Sequence, residues 1–124
     1  MKKVISSPLA PAAIGPYSQA TEAAGLVFVS GQLPIDAATG DMPEGIEAQA
    51  RQSLLNIQHI LEAAGLTMSH IVKTTVYLQD MSLFGSMNAV YATFFEGDYP
   101  ARAAFAVKAL PKDVLVEIEC IAAR

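Results

Sequence analysis

The chain has 124 residues, 52% hydrophobic and 16% charged, with eight Lys and Arg against twelve Asp and Glu and a net charge of −4. That is the length of one ordinary domain, and its charged share lies well below the usual value of about 25%. Such a composition excludes disorder, and an acidic chain with no basic run is a poor nucleic-acid binder on electrostatic grounds.

Size scaling gives roughly 6,400 Å² of folded surface, enough burial for a core without staples. The scarcity of charge implies that some apolar surface meets another subunit. Cys120 is the only cysteine, so no internal disulfide forms, which fits a reducing cytoplasm. Lys2 and Lys3 imitate a leader, but Ser6, Ser7, Pro8 and Pro11 break the apolar run that would follow. No stretch approaches 18 apolar residues, so no membrane span is expected.

In chain order, Lys3–Ser6 reads as a short edge strand. The prolines and Gly15 of Pro8–Pro16 exclude a helix there. Tyr17–Thr21 and Leu26–Gln32 flank Gly25 as a hairpin, and Pro34–Gly45 is a loop turning at Thr39-Gly40-Asp41. Ile46, Ala50, Leu54, Ile57, Leu61 and Ala64 recur at helical spacing, with Pro43 before and Gly65 after them. Glu47, Gln49, Arg51, Gln52, Gln58 and Glu62 take the polar face of that helix. Ile71–Gln79 is a strand with Val72, Thr74, Val76 and Leu78 on one face and Ile71, Lys73, Thr75 and Tyr77 on the other. A second helix spans about Ser82–Phe95, capped by Ser82, with Leu83, Met87, Val90, Tyr91 and Phe94 on its apolar side. Strands Ala103–Leu110 and Val114–Ala122 are joined at Pro111-Lys112-Asp113. In the last strand Val116, Ile118 and Cys120 point one way, and Leu115, Glu117, Glu119 and Ile121 the other. The order predicts an α+β layer, a mixed sheet with two helices on one face. The other face, with Leu115, Ile121 and Tyr77, is expected to meet a second subunit.

Several residues carry chemistry in this pattern. Arg102 stands at the mouth of an apolar strand, where it satisfies Glu117 or Glu119 within the protein or binds a ligand carboxylate. A covered sheet face would leave Glu117 or Glu119 partly desolvated and able to act as a base. Ser30-Gly31 ends a strand, and Gly31 either exposes its N–H to an anion or forms a simple bulge. Asn88 lies one turn after Phe84, so the two line one patch unless Asn88 is merely exposed. Tyr17 after Gly15-Pro16 caps a pocket or packs. His59 and His70 have no third ligand at metal-site spacing, and Cys120 reads as a buried hydrophobe. No dinucleotide, phosphate-loop, serine-elbow or zincin motif is present.

These residues resemble the RidA (YjgF-type) family. The resemblance is carried by Pro11-Ala12-Ala13-Ile14-Gly15-Pro16-Tyr17-Ser18-Gln19, by Ser30-Gly31-Gln32, and by Gln49-Ala50-Arg51-Gln52-Ser53-Leu54 with Ala63-Ala64-Gly65-Leu66. Ile71-Val72-Lys73-Thr74-Thr75-Val76 resembles its central strand. Its most specific part is Pro100-Ala101-Arg102, Leu110-Pro111-Lys112-Asp113 and Val116-Glu117-Ile118-Glu119. The likeness runs from about Ala10 to Ala123.

The resemblance implies a single RidA-like domain over 1–124, a fold similar to small trimeric chorismate mutase, and a homotrimer with clefts between adjacent subunits. It implies hydrolysis of reactive 2-imino or enamine acids, such as 2-iminobutanoate and 2-iminopropanoate, to 2-keto acids and ammonia, with no cofactor and no metal. It makes Arg102 the carboxylate anchor, helped by the Gly31 N–H, and Glu117 the holder of the attacking water. The backbone at Ala104 lends itself to the same water site; the resemblance counts Tyr17 with Arg102 and Glu117 as catalytic, orienting ligand and water together with Asn88, while Ser30 and Phe84 line the pocket. Many members carry cysteine where Ala104 stands, and Ala103 and Ala106 replace frequent polar residues. The segment Glu96–Tyr99 is shorter than in some members. The alternatives are a non-enzymatic carboxylate sensor in the same cleft, an endoribonuclease or translation inhibitor, and a holdase.

Overall fold

The computed structural model describes all residues, Met1–Arg124. Six strands and two helices follow the chain as β1 (Lys3–Ile5), β2 (Ala20–Ala23), β3 (Leu26–Gln32), α1 (Ile46–Ala63), β4 (Ile71–Leu78), α2 (Phe84–Ala92), β5 (Ala101–Ala106) and β6 (Val116–Ala123). They form one sheet ordered β1-β2-β3-β6-β4-β5. Every neighbouring pair is antiparallel except β4 and β5, which the crossover through α2 makes parallel. The α+β architecture, with a mixed sheet, is therefore as expected.

The alternation in β6 sorts the two faces. Val116, Ile118, Cys120 and Ala122 are buried, while Glu117, Glu119 and Ile121 are only partly so. The buried set joins Val27, Val29, Val76 and Leu78 from the sheet and Leu54, Ile57, Ile60, Leu61, Met87 and Val90 from the helices in one cluster. Both helices thus lie on one face. On the open face Phe28 and Phe105 remain 41% and 45% exposed, an unusual fate for phenylalanine in a sheet. The total accessible surface is 6605 Å², close to the size-scaling expectation.

Helix α1 ends as its sequence predicts. Gly65, at φ 77°, lets the Leu66 N–H reach Leu61 O at 2.8 Å and its own N–H reach Glu62 O at 3.0 Å. Its polar face differs from expectation. Gln49 is buried, donates to Pro43 O and accepts from Leu115 N, tying the helix start to β6. Asn56 is fully buried and donates to Leu33 O and Ile35 O, so it fixes the loop after β3. Asn and Gln at helical spacing look solvated in a sequence; here they satisfy loop carbonyls that would otherwise be buried unpaired.

Five further expectations are corrected. The ladder between β4 and β6 slips between Ile71 and Lys73, so Ile71 turns inward and Val72 outward, 47% exposed. Asp80, not Ser82, caps the turn leading into α2, accepting from Ser82 N at 2.8 Å. That helix stops at Ala92 rather than Phe95. The penultimate strand is Ala101–Ala106, not Ala103–Leu110, so Arg102 lies inside it. Tyr17 lies before β2, in the preceding loop. No helix is long and apolar enough to cross a membrane.

Candidate active site

Register decides where the site residues point. Arg102 pairs with Thr74, which pairs with Cys120, all on the helix side. Glu117 pairs with Tyr77, which pairs with Phe105, on the open side. Within one chain the sheet separates Arg102 from Glu117, and Arg102 forms no ion pair with Glu117 or Glu119. The internal salt bridge is excluded.

Arg102 is held by neutral groups instead. One Nη donates to Asn88 Oδ1 at 2.6 Å. The guanidinium lies over the ring of Tyr91, 4.7 Å from its centroid, and 5.4 Å from that of Phe84. Asn88 and Phe84 therefore form one patch, as the helical spacing allowed. Tyr91 was not among the expected site residues. Its hydroxyl shares a 2.7 Å hydrogen bond with Thr74 Oγ1 inside the core, and burial raises the phenol above its usual value. Its place in a regular apolar stripe hid it. Arg102, Asn88 and Tyr91, with Ala92, Tyr99 and Pro100, surround a cavity of about 480 Å³. Ala104, two residues along β5, is half-buried on the helix side. As β5 is the sheet's edge, its outer backbone groups have no strand partner.

The second group surrounds Glu117. The β3–β6 ladder shifts between Val29 and Gln32, leaving Ser30 and Gly31 without register partners. This is the bulge the sequence allowed, and it brings Gly31 against Glu117. A methyl at position 31 would overlap the Glu117 carboxylate, with Cδ at 2.9 Å and Cγ at 3.2 Å. Only glycine fits, and its reason is close approach. Glu117 has no hydrogen-bond partner in its own chain; its carboxyl is shifted upward, first by burial and second by the charge of Glu119. Glu119 accepts from the Tyr77 hydroxyl at 2.5 Å.

Ser30 is committed to the chain, since its Oγ donates to Ser18 O at 2.6 Å and its N–H to Gln19 O. It positions the bulge. Tyr17 is 48% exposed and lines a groove of about 840 Å³ with Ile14, Gly31, Gln32 and Lys112. Its hydroxyl accepts weakly from Ile14 N at 3.4 Å. The loop is held by buried Gln19, which accepts from Ser7 N at 2.6 Å and donates to Pro11 O at 2.7 Å. One amide thus shapes the wall that carries Tyr17, a role that a lone glutamine beside proline-rich sequence does not disclose.

A family model described as Endoribonuclease L-PSP matches residues 7–124. The crystal structure of the YjgF gene product of Escherichia coli matches at a TM-score of 0.96 and 48% identity, covering 98% of each chain. The chain belongs to the RidA (YjgF-type) family. A family member from Salmonella typhimurium named 2-iminobutanoate/2-iminopropanoate deaminase is 50% identical over 100% of this chain and 99% of its own. Escherichia coli TdcF, solved with bound serine, has a TM-score of 0.96 and 45% identity over 98% of each chain. The residues that define this RidA chain thus fall into two clusters on opposite faces of its sheet.

Proposed function

We propose that this protein hydrolyses small 2-imino acids, such as 2-iminobutanoate and 2-iminopropanoate, to 2-keto acids and ammonia. One observation carries the reading: a guanidinium held by neutral groups and a half-buried carboxylate without a partner stand on opposite faces of one sheet. Each half is incomplete alone. We infer a homotrimer in which β5 of one copy meets the open face of the next, so that Arg102 and Ala104 from one subunit face Glu117, Gly31 and Tyr17 from its neighbour. The exposed Phe28 and Phe105 and the unpaired edge of β5 support such packing. The full-length match to proteins named as deaminases supports the reaction, and serine in TdcF fits a site for a small carboxylate. The lone buried thiol fits a cytoplasmic location.

The chemistry follows from the groups. Arg102 grips the substrate carboxylate with two parallel hydrogen bonds, and the Gly31 N–H adds a third. Arg102 has no ion pair that must break first. Tyr17, Asn88 and Phe84 wall the acyl end. Glu117 accepts a proton from water as the water oxygen bonds to the C=N carbon, giving a carbinolamine. Its raised basicity suits it to this role near neutral pH. That proton and then the second proton of the water, released by the carbinolamine hydroxyl, pass to nitrogen; the C–N bond breaks as C=O forms, and ammonia leaves. No redox change occurs. Positioning supplies much of the rate, since imines already hydrolyse in water.

The test uses a threonine dehydratase to generate 2-iminobutanoate in the presence of semicarbazide. Wild-type protein is expected to suppress semicarbazone formation, while Arg102→Ala and Glu117→Gln proteins of unchanged oligomeric state do not. Absence of suppression by wild type across several imine donors overturns the deaminase reading and favours a ligand sensor.

A further inference from the structure

Glu119 and Tyr77 have no part in the reaction above, yet they form the tightest polar contact on the open face. Glu119 lies two residues from Glu117 on the same side of β6, so the two carboxyl groups project about 7 Å apart by strand rise. Tyr77 is the register partner of Glu117 on β4, but its hydroxyl donates to Glu119 Oε1, at 2.5 Å. The Tyr77 ring is fixed in turn by an edge-on contact with Phe105, 5.6 Å between centroids. One carboxylate is therefore pinned, and the other left free beside it.

We propose that Glu119, anchored by Tyr77, is a positioning residue whose fixed negative charge makes Glu117 take the proton of the attacking water more firmly. The proposal rests on the deaminase reading for what that proton does, but not for its electrostatics. Within one chain Glu119 is the charge nearest Glu117; in the proposed trimer the neighbour's Arg102 faces Glu117 too and acts in the opposite sense, equally in wild type and variants. On β4, Lys73 lies four residues from Tyr77, about 13 Å along the strand. β5 offers Ala101, Ala103 and Phe105 on this face, and β3 offers Phe28 and Gly31, none ionisable. Across the groove at Gly31 stand Tyr17 and Lys112. Burial, the larger cause, and Glu119, the second, both raise Glu117.

The experiment follows the Glu117 carboxyl carbon by NMR titration in the assembled protein, beside the pH profile of imine hydrolysis. Glu119→Gln keeps an acceptor for Tyr77 and removes the charge. A like charge about 7 Å away on a partly wetted surface predicts a fall of about 0.5–1 pH unit in the Glu117 midpoint. The acidic limb of kcat/KM moves by the same amount. A Tyr77→Phe/Glu119→Gln protein, which leaves no unpaired hydroxyl, is expected to show the same fall and serves if the single variant does not assemble. An unmoved Glu117 midpoint in the variants overturns the proposal, whatever happens to activity. A shifted midpoint in a protein that hydrolyses no imine would uphold the electrostatic coupling and overturn the deaminase reading alone.

Discussion

Gly31→Ala isolates the contact between the bulge and Glu117. Gly31 does not use a left-handed backbone, so alanine meets no conformational penalty there. The added methyl would stand 2.9 Å from Glu117 Cδ, where ordinary carbon contact is about 3.5–4.0 Å. The carboxyl must withdraw by about 1 Å, and a misplacement of that size costs about 100-fold in rate. That is about 2.7 kcal/mol of transition-state stabilisation. The fold loses far less, because the displaced group is the end of a half-exposed side chain; about 1 kcal/mol, or roughly 4 °C, is expected. The semicarbazide-trapping assay measures the first quantity and a thermal melt the second. Activity within threefold of wild type would refute the reasoning, since Glu117 would then tolerate the displacement its role forbids.

Arg102→Lys keeps the charge but loses the paired donors and the ring stacking, so kcat/KM should fall about 10- to 100-fold, mainly through KM; steady-state kinetics at several substrate concentrations separate the two. Glu117 holds its proton more tightly folded than unfolded, so its protonated form stabilises the fold fully below the ordinary carboxylate value. That contribution is lost as pH rises through the raised folded value. Glu117→Gln should therefore melt above wild type at pH 8, with the difference fading towards pH 4, as scanning fluorimetry would record. Burial holds the Cys120 thiol up at about 12, so it should resist alkylation in the native protein and react with one equivalent in denaturant, followed by mass spectrometry.

Much of the frame was legible because its burial is periodic. The α1 stripe from Ile46 to Ala64, its stop at Gly65 and the alternation of β6 each depend on neighbours within a few residues. What escaped depends on partners far along the chain. Val72 turns outward because of a slip against β6, and Gln49 and Asn56 are buried because distant loop groups need them. Arg102 and Glu117 were each recognisable as chemical residues. That they occupy opposite faces follows only from the parallel register of β5 on β4, which no local pattern encodes. Tyr91 was hidden for a related reason: it serves the core with its ring and the guanidinium with its face.

The proposed mechanism requires that one site draw on two copies of the chain. Arg102→Ala and Glu117→Gln proteins, each inactive alone, would be unfolded together, refolded as a mixture and assayed for imine hydrolysis. If each site takes Arg102 from one subunit and Glu117 from the next, random trimers regain about a quarter of wild-type activity. If both residues of a site belonged to one chain, every site in the mixture would carry one of the two lesions. Activity would then stay at the level of the separate variants, contradicting the account.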